Sequence, residues 1–249
     1  MDEQQNWLIA NWKMHGTRER AAAYAFAFNA ALQSAPAALH GVFCPPAVYL
    51  PAAQLAMPGN ARLRLGGQDC HAYGDGAYTG ELSARMLADV GAQCVILGHS
   101  ERRSQCHETC EVVLAKAHAA VAAGLMPVLC IGESAEERDA GQTNAVLQKQ
   151  AEIFAGLQSG TYMVAYEPLW AIGSGRTPQM VEIAGAHQQI KSTLGSTVPV
   201  LYGGSVKPSN IREILAVEGV CGALIGGASL EIDSMRAMVE HASALARKE

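Results

Sequence analysis

Residues 162–177 read YMVAYEPLWAIGSGRT, a short apolar run followed by one carboxylate and a second apolar segment. The run at residues 162–166 is strand-like, and Glu167 follows at its C-terminal end. Gly173 and Gly175 close the segment after it. Burial raises the pKa of a carboxyl group and makes it a better proton acceptor near neutral pH. The stretch therefore predicts a strand that delivers a base beneath an apolar flap, whereas the alternative is an idle, salt-bridged glutamate on a surface loop.

The same pattern of apolar run and polar end recurs along the chain. The predicted strands lie at residues 7–11, 39–43, 62–66, 94–97, 126–130, 162–166, 198–202 and 222–225. Apolar residues at helical spacing predict helices between them, for example at residues 18–32, 104–123, 145–157, 179–194 and 235–246. This alternation calls for a parallel α/β sheet that is covered by helices.

The number of repeating units favours a closed barrel over an open sheet. The chain has 249 residues, and eight units of about 31 residues match what a strand and its crossover helix need. A doubly wound open sheet and an eight-stranded parallel (β/α)8 barrel both satisfy the pattern, and the barrel is favoured. Because no linker rich in Pro, Gly or Ser divides the chain, we expect a single domain over residues 1–249.

Composition and charge argue against several classes of protein. The net charge is −5, and no Lys/Arg cluster of the kind that follows a phosphate backbone is present, so nucleic-acid binding is not expected. The longest apolar stretch, residues 112–131, is broken by Lys116, His118 and Pro127, so no membrane span is expected. Seven cysteines without a C-x-x-C pair, behind a polar and acidic N-terminus, indicate reduced thiols and a cytoplasmic location.

One short segment has the composition of a metal site. Residues 106–110 read CHETC, and Cys106 and Cys110 would share a face of the predicted helix. A structural zinc site needs four ligands, and nothing nearby completes the set. We therefore expect no metal here and interpret the two thiols as packing residues.

Polar residues and glycines gather at the C-terminal ends of the predicted strands, where parallel α/β folds build their sites. They are Asn11 and Lys13 after strand one, His99, Ser100 and Glu101 after strand four, Glu167 after strand six, Gly203, Gly204 and Ser205 after strand seven, and Gly226 and Gly227 after strand eight. Each has a structural explanation taken alone, such as a solvated lysine or a turn glycine. Their joint occurrence on one rim predicts an active site.

The two glycine pairs on this rim predict a phosphate site. Glycine lets backbone N–H groups approach a ligand, and each pair precedes a helix-like segment whose N-terminus favours anions. The chain has neither a P-loop nor a G-x-G-x-x-G fingerprint, so we expect one small phosphate group and not a nucleotide. The absence of G-x-S-x-G also weakens a serine-hydrolase interpretation.

Seven segments match one known family, in the same order along the whole chain. They are residues 11–14 (NWKM), 80–81 (GE), 97–103 (LGHSERR), 130–133 (CIGE), 165–173 (AYEPLWAIG), 202–206 (YGGSV) and 226–230 (GGASL). With these segments the chain resembles the triosephosphate isomerase family. The resemblance implies a TIM barrel that interconverts dihydroxyacetone phosphate and D-glyceraldehyde 3-phosphate, in glycolysis and gluconeogenesis, without a cofactor or a metal.

The resemblance also implies a role for individual residues. Glu167 would move a proton between adjacent carbons, neutral His99 would polarise the carbonyl, Lys13 would supply positive charge, and Asn11 would donate a hydrogen bond. A short helical turn opened by Ser100 and Glu101 would disfavour a charged imidazole through its N–H dipoles. Glu101 would also lie near the lysine.

The phosphate of the triose would be held by a ring of backbone groups. The resemblance assigns Gly173, Ser205 and Gly227, with Gly226 alongside, and implies that the apolar segment after Glu167 is a mobile lid. Closing such a lid would couple phosphate binding to the exclusion of water from the base. Pro178 departs from the family pattern at the far hinge of this lid, where a fixed φ could stiffen the motion.

A long segment after the third strand is expected to be functional. Residues 67–79 show no strand or helix pattern, and loops of this length usually have a function. The resemblance implies a homodimer in which this loop enters the partner subunit and brings Thr79 beside the partner's catalytic residues. The thiol of Cys130, inside a matching segment, is assigned packing alone.

Two other functions remain as alternatives to the isomerase. A Schiff-base aldolase would use Lys13 as its nucleophile, but it needs a desolvated lysine within a strand, and Lys13 follows a strand end. A non-catalytic binding protein on the same barrel would have lost catalytic groups, and none is lost here.

Overall fold

Eight parallel strands close into a barrel in a computed structural model that describes residues 5–171 and 178–246. The strands are β1 (Asn6–Asn11), β2 (Leu39–Cys44), β3 (Leu63–Gly67), β4 (Ala92–Leu97), β5 (Met126–Ile131), β6 (Met163–Tyr166), β7 (Val200–Tyr202) and β8 (Val220–Ile225). Each strand pairs with its neighbours in sequence order, and β1 closes the barrel by pairing with β8. The closed barrel is therefore confirmed, and the open doubly wound sheet is wrong.

Ten α-helices connect the strands in the described residues. They are α1 (Arg18–Gln33), α2 (Leu50–Ala56), α3 (Ala84–Asp89), α4 (Ser100–Gln105), α5 (Cys110–Ala122), α6 (Ala135–Asp139), α7 (Thr143–Glu152), α8 (Met180–Leu194), α9 (Ile211–Leu215) and α10 (Ile232–Ala246). None of these helices combines the length and the apolar composition that crossing a bilayer requires.

The single helix predicted at residues 104–123 is wrong, because the chain breaks it into α4 and α5. His107 takes a left-handed backbone with φ 55°, which no regular helix accommodates. Thr109 then caps α5, since its side chain accepts a hydrogen bond from the backbone N–H of Val112. Cys106 consequently follows the end of α4 as its C-cap residue and Cys110 begins α5, so the two do not share one helix face.

The other predicted boundaries differ by a few residues for local reasons. The strand expected at residues 198–202 begins at Val200 because Pro199 has no N–H to donate to a ladder. The helix expected at residues 145–157 runs from Thr143 to Glu152 and ends in turns. Four short helices that the sequence did not indicate, α2, α3, α6 and α9, span too few residues to show a clear apolar period.

The core has two layers, and together they fix the rim of the barrel. An inner layer fills the barrel with side chains such as Trp7, Ile9 and Cys130, and an outer layer seals the strands against the helices. The indole N–H of Trp12 donates to the backbone oxygen of Ser229, which ties the end of β1 to the turn after β8. Close packing of this kind holds the strand ends in a fixed arrangement.

Candidate active site

A cavity of about 240 Å³ opens at the C-terminal rim of the barrel. Its lining includes nine of the residues predicted from the sequence, namely Asn11, Lys13, His99, Glu167, Gly203, Gly204, Ser205, Gly226 and Gly227. Gly173 and most of the predicted lid lie outside the described residues. Ser100 and Glu101 lie directly behind the cavity, where both contact its lining residues.

Glu167 follows β6 and is almost completely buried, with 2% of its surface exposed. Its Oε2 atom accepts a hydrogen bond of 2.9 Å from the backbone N–H of Ser100. Gly132 makes the approach of the neighbouring strand possible, because a Cβ there would lie 1.8 Å from the backbone oxygen of Glu167. Burial raises the pKa of this carboxyl group, and His99, the Ser100 N–H and the thiol of Cys130 lower it by a smaller amount.

His99 caps the N-terminus of α4 with its imidazole ring. The Nδ1 atom accepts a hydrogen bond of 3.2 Å from the backbone N–H of Glu101, so this nitrogen carries no proton. The proton of the ring is therefore on Nε2, which lies 3.1 Å from Oε1 of Glu167. The geometry favours a neutral imidazole that donates from Nε2 toward the cavity.

Lys13 is held by three side chains in an unusual backbone conformation. Its φ is 53°, a left-handed value that lysine rarely adopts. The Oδ1 atom of Asn11 accepts from its N–H at 3.0 Å, and the amide of Gln68 donates to its carbonyl at 2.8 Å. The ammonium donates to Oε1 of Glu101 at 2.7 Å, so the expected proximity of Glu101 to Lys13 is observed.

The glycine-rich turns after β7 and β8 line the same cavity as Glu167 and His99. Ser205 follows β7, and Gly227 opens a 3₁₀ turn, Gly227–Leu230, directly after β8. Lys207 also lines this cavity, so a basic residue accompanies the residues that are predicted to bind the phosphate. A site of this chemistry favours a small anion.

A second cavity of about 210 Å³ lies beside the first, and the two share Asn11, Lys13 and His99. Met14, which is 93% exposed, and Gln68 also line it. Thr79 lies in an exposed turn of the loop after β3 and lines neither cavity within its own chain.

Sequence reasoning missed three contacts in this site. Gln68 supports Lys13, the guanidinium of Arg103 bridges two strand ends, and the thiol of Cys130 donates to Glu167 and so does more than pack. Arg103 and Cys130 lie inside segments that match the family, but their spacing in the chain does not reveal what they contact. The sequence carries no pattern that identifies Gln68.

Comparisons with known proteins place these residues in a family. The triosephosphate isomerase family model matches residues 6–242. Triosephosphate isomerase from Acidiphilium cryptum is 44% identical and covers 96% of this chain and 98% of its own, and the one from Ruegeria pomeroyi is 50% identical over 88% and 90%. The crystal structure of triosephosphate isomerase from Bartonella henselae superposes with a TM-score of 0.86 at 37% identity, covering 96% of this chain and 99% of its own. With matches of this extent in sequence and in structure, the chain belongs to the triosephosphate isomerase family.

Proposed function

We propose that Glu167, His99, Lys13 and Asn11 carry out the proton transfers of this enzyme. The chain is an isomerase that interconverts dihydroxyacetone phosphate and D-glyceraldehyde 3-phosphate through an enediolate. The observation that carries the assignment is the pairing of a buried carboxylate with a neutral imidazole N–H, 3.1 Å apart, in one cavity with the ammonium of Lys13.

Glu167 is the proposed base. It takes a proton from one carbon of the triose and returns it to the neighbouring carbon, while the hydroxyl proton passes from one oxygen to the other, so that the reaction conserves every atom. Its burial raises its pKa, which makes the carboxylate a stronger acceptor than an exposed glutamate. The Ser100 N–H that now holds the carboxylate must be exchanged for the substrate C–H during the reaction.

His99, Lys13 and Asn11 are proposed to stabilise the charge that this transfer creates. Removing a proton beside a carbonyl places negative charge on its oxygen, and each preorganised donor to such an oxygen is worth about 2.7–4 kcal/mol. The Nε2–H of His99 is such a donor, and it is preorganised because the Glu101 N–H fixes the ring. The ammonium of Lys13 supplies positive charge from the opposite side.

The substrate phosphate is proposed to bind the backbone N–H groups of Ser205 and Gly227, with Gly226 beside them. Gly173 is the fourth proposed group, on the lid. Energy from binding this remote phosphate is available for closing the lid and excluding water from Glu167. The chemistry is proton transfer alone, so the proposed mechanism uses no cofactor and no metal.

The assembly that we propose is a homodimer of single-domain subunits in the cytoplasm. The loop after β3 exposes the rings of Tyr73 and Tyr78, while Met14 is exposed beside the second cavity. An exposed apolar loop and an open cavity next to Lys13 and His99 support docking of the loop into a second copy. Seven unpaired cysteines support a reducing compartment.

The experiment measures conversion of glyceraldehyde 3-phosphate with metals chelated, for the wild type and for Glu167→Gln. We expect the substitution to lower kcat by about 10²- to 10⁴-fold, because a general base is lost. Glu136→Gln is the matched control, since Glu136 is exposed on α6. An inactive wild type would refute the function, and an active Glu167→Gln would refute the base.

The aldolase is tested in the same preparation by borohydride. A Schiff base requires a free amine, whereas the Lys13 ammonium is ion-paired with Glu101 at 2.7 Å. We expect no covalent adduct after reduction in the presence of substrate. Mass spectrometry that finds substrate attached to Lys13 would replace the isomerase mechanism with an aldolase one.

A further inference from the structure

Strands β4 and β5 part just below the active site. Their last paired residues are Leu97 and Leu129, and β4 leaves the sheet at Gly98 with a left-handed φ of 65°. The next rung of the ladder would join Gly98 to Cys130. The ladder between β4 and β5 thus ends before the carbonyl groups of these two residues.

The guanidinium of Arg103 replaces this missing rung. Its Nε donates to the oxygen of Gly98 at 2.8 Å, and its Nη2 donates to the oxygen of Cys130 at 2.9 Å. A third donor, Nη1, lies 3.3 Å from the sulfur of Cys110 at the start of α5. The planar fork of arginine presents several donors in a fixed geometry, so one side chain ties two strand ends and a helix start together.

One carbonyl belongs to the peptide unit that leads into His99, and the other to the peptide unit that leads into Ile131, a hydrogen-bond partner of Glu167. The oxygen of Gly98 shares its peptide plane with the nitrogen of His99, so fixing it fixes the entry of His99 into α4. The thiol of Cys130 donates to Glu167, and the next residue, Ile131, accepts the backbone N–H of Glu167 at 2.8 Å. One guanidinium therefore contacts the supports of both functional side chains.

We propose that Arg103 is a positioning residue that sets the relative placement of His99 and Glu167. The inference rests on the roles proposed above for these two residues. Arg103 itself does not touch the substrate. It acts through the Gly98–His99 peptide and through the Cys130 segment. A displacement of either one would change the 3.1 Å distance between the imidazole of His99 and the carboxylate of Glu167.

Arg62 provides a matched control at the opposite end of the barrel. Its guanidinium likewise donates to several backbone carbonyl groups, including those of Ala35, Pro36 and Leu39. These carbonyls lie between α1 and the first residue of β2, at the end of the barrel away from the rim. Arg62 therefore shares the chemistry of Arg103 without its connection to the active site. Arg62→Lys measures the loss of stability when a guanidinium that binds several backbone carbonyl groups is removed.

The test compares Arg103→Lys with Arg62→Lys. A lysine ammonium cannot reproduce the fork, so we expect Arg103→Lys to lower kcat by roughly 10- to 100-fold with little change in KM, as for a small misplacement of reacting groups. We expect Arg62→Lys to lower the melting temperature and to leave kcat unchanged. In the ¹⁵N spectrum of the His99 ring, Arg103→Lys should shift Nδ1 toward a free acceptor, and Arg62→Lys should not.

Several outcomes would overturn the inference. One is a folded Arg103→Lys enzyme with wild-type kcat and an unchanged His99 spectrum, and another is an equal loss of kcat in Arg62→Lys. Arg103→Gln is the second variant, since its amide reaches one carbonyl and should also lose kcat. If neither Arg103 variant folds while Arg62→Lys does, Arg103 belongs to the fold and not to the site. Full activity in both His99→Gln and Glu167→Gln would instead refute the roles proposed above for these two residues.

Discussion

The Nε2 atom of His99 lies 3.1 Å from the Oε1 atom of Glu167, so the imidazole that is proposed to polarise the carbonyl contacts the proposed base directly. The carboxylate also holds the Ser100 N–H, and both partners favour its charged form. Burial opposes them and is the larger effect, so the pKa of Glu167 is raised above the ordinary value of 4.5. The carboxylate of Glu167 is a stronger base than an exposed glutamate, because its favourable contacts do not fully compensate for its desolvation.

The pH dependence of the reaction should report this raised pKa. A carboxyl group with a raised pKa ionises at higher pH, so the acid limb of kcat/KM should lie above 4.5. Cys130→Ala removes a hydrogen bond that lowers the pKa of Glu167, so the limb should move further up. Cys94→Ala, which removes another buried thiol of the barrel interior, should leave it in place. If the acid limb of kcat/KM lies at the same pH in the wild type and in Cys130→Ala, the Cys130 thiol does not lower the pKa of Glu167.

The proposed homodimer predicts that Thr79→Arg separates the subunits. The exposed turn at Thr79 is the part of the loop that we expect to enter the partner. An unpaired charge buried in an interface costs on the order of 3–5 kcal/mol, so the association should weaken by at least about a hundredfold. Size-exclusion chromatography with parallel assays should show a monomer of low activity.

Thr197→Arg is the control for this change, because Thr197 is exposed on another part of the surface. That variant should keep the size and the activity of the wild type. A Thr79→Arg monomer with full activity would show that the loop does not complete the partner's site.

The sequence predicts the barrel, and the presence of the proposed site residues at one rim, because both depend on local rules. Parallel strands converge at their C-terminal ends, so a residue that follows a strand, such as Lys13, His99 or Glu167, is expected at one rim whatever the details of packing. The single helix at residues 104–123 fails because apolar periodicity continues through a break that the backbone of His107 creates.

The supporting contacts could not be predicted, because they join residues that are remote in the chain. Gln68 lies 55 positions from Lys13, and Arg103 lies 27 positions from Cys130. In both pairs the acceptor is a backbone oxygen, and every residue has one. Nothing in the side-chain pattern therefore marks the partner, and only the folded register of the strands determines it.

His187 should make folding stability depend on pH. It is fully buried on α8, its ring meets that of Tyr166 edge to face, and its Nε2 has no hydrogen-bond partner in the described structure. Burial lowers the pKa of His187 to about 4. The unfolded chain binds this proton near pH 6.5, so stability should be lost as the pH falls from about 6.5 to about 4, by roughly 3 kcal/mol.

Denaturant unfolding at a fixed protein concentration across this pH range measures the effect. Between pH 6.5 and pH 4 the free energy of unfolding of His187→Gln should decrease less than that of the wild type. The difference should be roughly 3 kcal/mol, because glutamine does not titrate. His118→Gln, at an exposed position of α5, should behave as the wild type does. Parallel pH curves for wild type and His187→Gln would show that the imidazole is not kept neutral by folding.

A buried cluster of charges beside the loop after β3 should be indispensable to stability. The Lys116 ammonium lies 2.8 Å from both carboxylate oxygens of Asp69 and 2.5 Å from Oε1 of Glu108, and 5% of the Lys116 and Glu108 side chains is exposed. Arg102 also pairs with both acids. Removing one partner of a buried pair leaves an uncompensated charge, so Lys116→Met should cost about 3–5 kcal/mol in unfolding free energy.

The double variant Lys116→Met/Glu108→Gln distinguishes this explanation from a simple loss of packing. A neutral amide needs no counter-charge, so the second substitution should recover part of the loss, and the two effects should not be additive. Arg236→Met, which breaks an exposed pair with Asp233, is the control and should cost less than about 1 kcal/mol. Urea unfolding of five proteins measures these effects: the wild type, the single variants Lys116→Met, Glu108→Gln and Arg236→Met, and the double variant. If the losses in unfolding free energy from the two substitutions simply add in the double variant, Lys116 stabilises the loop by packing of its aliphatic stem. A charge interaction would be lost already in either single variant, and the two losses would then not add.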